Sequence, residues 1–134
     1  MAQLNTQQEF EQVMRDCRDL FLKKLHDYGT AWRVMRPATM TDQLFIKAAR
    51  IRSLQMKGHS EVGEGIIPEF VGIVNYSIIA LIQLSKGVAN AEDISIDEAA
   101  QLYDAEAQKA LQLMLKKNHD YNEAWRDMRV SSYA

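Results

Sequence analysis

Residues 22–36, LKKLHDYGTAWRVMR, return as residues 115–129, LKKNHDYNEAWRDMR, 93 positions later, with eleven of fifteen residues identical and a tryptophan in each copy. A chain that carries one block twice is expected to build the same local unit twice. The register extends upstream, where Phe10, Met14, Cys17, Leu20 and Phe21 align with Tyr103, Ala107, Ala110, Leu113 and Met114, apolar at helical spacing in both copies. Each block is therefore expected to close an amphipathic helix. Gly29 of the first copy is Asn122 in the second, and these are the residues that suit a helix C-cap. Lys23, Lys24, Lys116 and Lys117 fall in the last turns, where positive charge suits the helix dipole.

The first unit is read as residues 5–86 and the second as 96–134 within a single domain. A second unit of equal length would run about 45 residues past Ala134. The abrupt ending favours a second unit cut short over one that is naturally incomplete. Its first helix then has too little of its own unit to pack on, so it is expected to lie on the first unit or on another chain. A homo-oligomer is the resulting expectation.

Four long helices are predicted. Thr6 with Glu9 reads as a capping box, followed by the stripe Phe10, Val13, Met14, Cys17, Leu20, Phe21 and Leu25. A second helix is placed from about Thr41 and Asp42, with Leu44, Phe45, Ala48, Ile51 and Leu54 inward, and ends near Gly58. Pro68 opens a third, through Lys86, apolar nearly all round and read as a buried central helix because Glu69, Asn75 and Gln83 interrupt it. Ser95 with Glu98 is a further capping box and starts a fourth helix to about Asn118. No strand of useful length is predicted, so the fold class is all-α: a helical bundle with an internal repeat, its second repeat incomplete.

Composition removes several classes. With 47% apolar and 25% charged residues, disorder and fibrous structure are excluded. Sixteen basic against eighteen acidic residues, net −2, carry no strong nucleic-acid signature. The one cysteine, Cys17, makes no internal disulfide and falls on a core face. With no signal-peptide pattern, a cytoplasmic address and no membrane are expected.

The repeated block has the polar variety of a site. His26, Asp27, Tyr28, Trp32, Arg33 and Arg36, with His119, Asp120, Tyr121, Trp125, Arg126 and Arg129 in the second copy, combine aromatic faces that stack a base with arginines that grip phosphate. The plain alternative is that the tryptophans plug helix ends and that Asp27 holds Arg33 or Arg36 in a structural ion pair. Lys47 and Arg50, three apart on one helix, extend a phosphate-binding surface or else form a solvated face. Asn75 and Tyr76 complete the ligand-binding set, although an amide in an apolar helix is more often a satisfied core group. Glu61, Glu64 and Glu69 are the metal candidates, since carboxylates suit magnesium. No phosphate loop and no convincing nucleophile is present.

The repeated HDYGTAWR and HDYNEAWR, with FIKAARI and GIVNYSIIALIQL between them, resemble the first nucleotide-modification-associated domain family, a bacterial and phage family. That resemblance implies an all-α domain found beside nucleotide and DNA base-modification enzymes, with no assigned reaction. It carries the family positions onto Asp27, Tyr28, Trp32, Arg33, Lys47, Arg50, Asn75 and Tyr76, and onto Asp120, Tyr121, Trp125 and Arg126. The helix order is also loosely similar to the all-α nucleotide pyrophosphohydrolases, whose magnesium sites use Glu-x-x-Glu and Glu-x-x-Asp. Here Glu69 is followed at the fourth place by Gly72. Nucleotide binding is thus the leading expectation, with a magnesium-dependent pyrophosphohydrolase and a structural oligomerisation module as the alternatives.

Overall fold

A computed structural model describes residues 5–57, 65–121 and 123–128. Four α-helices carry them, with α1 at Thr6–Tyr28, α2 at Pro37–Lys57, α3 at Ile67–Lys86 and α4 at Ile96–Tyr121. Three-residue spacings mark the starts more finely than the sequence suggested. Asn5 rather than Thr6 is the N-cap of α1, accepting from the Gln8 amide while the Gln8 side chain accepts from Asn5 N–H. The capping box therefore lies one residue earlier than expected. Helix α2 begins at Pro37, not near Thr41: proline presets the helical φ and gives up an N–H that a first turn leaves unpaired. Its first apolar position inward is Met40, so the apolar pattern starts a turn late. At the head of α4 the Ser95 hydroxyl accepts from the Glu98 amide at 3.0 Å, as expected of a cap, and the helix runs on to Tyr121.

Neighbouring helices alternate in direction. Arg18 meets Asp104, Thr30 meets Ile94 and Arg126 meets Glu9, so α1 and α4 are antiparallel along their length. Asn75 meets Tyr103 and Lys86 meets Glu98, so α3 and α4 are antiparallel too. Helix α2 packs chiefly on α3.

The core lies where α1, α3 and α4 converge. Phe21 stacks on Tyr103 at 4.4 Å between ring centroids and tilts against Trp32 at 6.3 Å, with Leu25, Met40, Ile79 and Ile82 around them. Cys17 is fully buried, and burial raises its thiol pKa. Asn75 ties three helices, donating to the Cys17 carbonyl at 3.0 Å and accepting from the Tyr103 hydroxyl at 2.7 Å. A buried amide satisfied this way fixes the register of the packing.

Two burial expectations change. Phe45, placed inward by its apolar character, is 74% exposed, because the face of α2 that meets α3 is centred on Met40 and Ile51. Helix α3 is central but not buried all round: Asn75, Ile78, Ile79, Ile82 and Gln83 are inside, whereas Ile67, Leu81 and Leu84 are exposed.

Candidate functional site

Both copies of the repeated block fold alike in outline. Each long helix ends at the tyrosine, Tyr28 or Tyr121, and a 3₁₀ turn follows at Ala31–Val34 or Ala124–Asp127. The first turn is locked. Trp32 is in the core, its indole N–H buried without a hydrogen-bond partner. Arg33 is 2% exposed, with its guanidinium donating to Asp93 at 2.9 Å, to the Gly87 carbonyl at 2.8 Å and to the Gln83 side-chain oxygen. Hydrogen bonding from Arg33 holds the Asp93 carboxyl below its ordinary pKa. The Gln83 amide nitrogen serves the carbonyls of Trp32, Arg33 and Met35 at 3.1, 2.8 and 2.7 Å. Asp93, not Asp27, is the partner of Arg33; Asp27 lies 3.4 Å from its neighbour His26 on the surface. Neither Gln83 nor Asp93 stood out as a partner in the sequence, although a glutamine in an apolar helix needs partners of this kind.

The second turn has other company. Arg126 donates to Glu9 at 2.7 Å, Glu123 at 3.0 Å and the Thr6 hydroxyl at 3.1 Å, and its guanidinium lies 4.6 Å from the Trp125 ring centroid. Glu123 also accepts from the Thr6 hydroxyl. The Thr6 bond first, and then Arg126, pull the Glu123 pKa down to about 2. Trp125 is 37% exposed where Trp32 is in the core. His26, Tyr28, Arg36, His119, Asp120 and Tyr121 are exposed, and Arg129 lies outside the described residues. Arginines expected to grip a ligand are thus engaged within the protein at Arg33 and Arg126.

Lys47 and Arg50, both on α2, meet Glu69 of α3. Lys47 Nζ is 3.5 Å from one Glu69 carboxylate oxygen, and an Arg50 guanidinium nitrogen is 3.5 Å from the other. Glu69 is largely buried, and its Oε2 has no hydrogen bond at all. Gly72 makes this arrangement possible. A Cβ there would come within 2.7 Å of the Lys47 Cε and 2.8 Å of its Cδ, so the lysine stem crosses α3 where the glycine leaves room. Arg50 remains mostly exposed. Two cations and one carboxylate leave one net positive charge at a place where solvent is partly excluded, which strengthens its attraction for an anion. Asn75 belongs to the core network, and Tyr76 is half-buried against the core.

Of the three metal candidates, Glu61 and Glu64 lie outside the described residues, and Glu69 faces two cations. Among the described residues no three His, Cys, Asp or Glu side chains converge as a metal site. A groove of about 360 Å³ runs between α1 and α4, lined by Phe10, Met14 and Arg18 from one helix and Tyr103, Ala107 and Leu111 from the other. None of the candidate ligand residues lines it.

Fold and ion cluster together define an all-α bundle in which two cations of α2 pair with one carboxylate of α3. Residues 24–84 match the family model described as nucleotide modification associated domain 1. The matched stretch covers the first repeated block from Lys24 on and the Lys47, Arg50 and Glu69 cluster; the second block lies beyond it. No curated protein and no solved structure gives a significant match.

Proposed function

We propose that this chain binds a nucleotide or another phosphorylated small molecule, and that Lys47 and Arg50 receive its phosphate beside Glu69. The observation that carries the reading is the convergence of these two cations on a largely buried carboxylate at 3.5 Å each. At that distance the pairs are loose, so the donors retain hydrogen-bonding capacity for an incoming oxyanion. Arginine supplies a planar fork and lysine a point charge, a combination suited to a phosphate group. The family description, which concerns nucleotide modification, supports the same class of ligand.

Isothermal calorimetry with a panel of nucleoside mono-, di- and triphosphates, with and without magnesium, tests it. Binding by the unmodified chain is expected, weakened at least tenfold by Lys47→Ala or Arg50→Ala, since a charge-assisted hydrogen bond contributes about 1.5–3 kcal/mol. Affinity should also fall as salt rises. A panel without any binding, or binding indifferent to both substitutions, defeats the proposal.

A further inference from the structure

Glu69 gives one oxygen to each of its cations, Oε2 to Lys47 and Oε1 to Arg50, and among the described residues neither cation has another acidic partner. Its side chain is 14% exposed and belongs to the first turn of α3, where the helix dipole favours a carboxylate. Burial and helix position thus hold the acid beside the cations. An anion that arrives at Lys47 and Arg50 has to share them with a negative charge already in place.

We infer that Glu69 sets the charge class of the ligand: the site takes a terminal phosphate monoester, which is doubly charged, and rejects a singly charged phosphodiester. This rests on the reading of Lys47 and Arg50 as the phosphate receivers. With one net positive charge in the cluster, attraction scales with the charge that the ligand brings. A diester brings one, and repulsion from Glu69 takes back a share of its gain, leaving little to offset the hydration it loses. A monoester brings about two charges and three acceptor oxygens, so each cation gains a second partner while Glu69 stays. Partial exclusion of solvent enlarges the difference, because a charge counts for more where the effective dielectric is low. Recruitment of a divalent ion is the rival role for Glu69. It is disfavoured because Oε2 already faces an ammonium group and no group of three metal-ligating side chains forms among the described residues.

Calorimetry on the full chain at about pH 8, above the second phosphate pKa of about 6, tests this in magnesium-free buffer. Each nucleoside 5′-monophosphate is compared with its 3′,5′-cyclic diester, so that base and sugar stay the same. The unmodified chain should bind a monophosphate about tenfold or more tighter than its cyclic form. Glu69→Gln should tighten both and bring the cyclic form into measurable range, and Glu69→Asp, which restores the charge, should restore its rejection. Equal affinity of the unmodified chain for the two forms overturns the inference without recourse to any variant. So does a Glu69→Gln chain, helical by circular dichroism, that binds the monophosphate no tighter, or added magnesium that tightens binding only while Glu69 is present. In each of these cases the reading of Lys47 and Arg50 stands if Lys47→Ala weakens binding. Absence of binding by the unmodified and Glu69→Gln chains to every nucleotide defeats both.

Discussion

Arg33 and Arg126 occupy the same place in the repeated block, yet their surroundings give them different work. Arg33 is buried and holds together a turn, the end of α3 and the segment before α4, whereas Arg126 makes its contacts at the surface. Arg33→Ala is expected to lower unfolding free energy by about 3 kcal/mol, as removal of a buried charged donor leaves several acceptors unpaired. Arg126→Ala should leave the urea midpoint nearly unchanged. Equal effects in urea titration would contradict this assignment. At the ion cluster, Gly72→Ala tests positioning rather than charge. Alanine improves helix propensity by about 1 kcal/mol over glycine and pushes only the flexible end of Lys47 aside. Its thermal midpoint should hold or rise while calorimetric affinity for nucleotides falls. Retention of full affinity would show that the Lys47 path over α3 is unimportant.

At the scale of elements, the contact between the start of α1 and the end of α4 responds to acid. Glu123 has its pKa pulled down to about 2 from an ordinary 4.5 by Thr6 and Arg126. A carboxyl depressed on folding contributes stability above its unfolded value and loses it as pH falls through the folded one. Thermal midpoints should therefore decline between about pH 4.5 and 2, and Glu123→Gln should flatten that decline; an unchanged profile would remove Glu123 as its source. The existence of all four helices was legible in the sequence, because apolar spacing and the Ser95 cap are local signals. The start of α2 was not, since Pro37 opens it a turn before the apolar stripe. Nor was the exposure of Phe45, which depends on which side of α2 meets α3. Lys47 and Arg50 could be read as a shared face and Glu69 as a functional acid, but their meeting required knowing that α2 and α3 lie side by side. A structural role was among the readings of Arg33 and the favoured one for Asn75, but their partners, Asp93 and Tyr103, were not legible because they lie 60 and 28 residues away.

On the whole-molecule scale the described helices form a core where α1, α3 and α4 converge, with α2 laid along α3. The C-terminal end of α3 joins two connections. Gln83 fastens three carbonyls of the segment after α1, Arg33 reaches from that segment to Gly87 and Asp93, and the Ala89 amide donates back to the Arg33 carbonyl at 3.0 Å. Two connecting stretches far apart in the chain thus meet at Arg33, which Gln83 holds in place. Neither can lift away without freeing the other. In native-state hydrogen exchange their protected amides should share a single opening free energy, and Gln83→Leu should lower both together. Loosening of residues 30–35 with 87–89 still protected would mean that the two connections breathe separately.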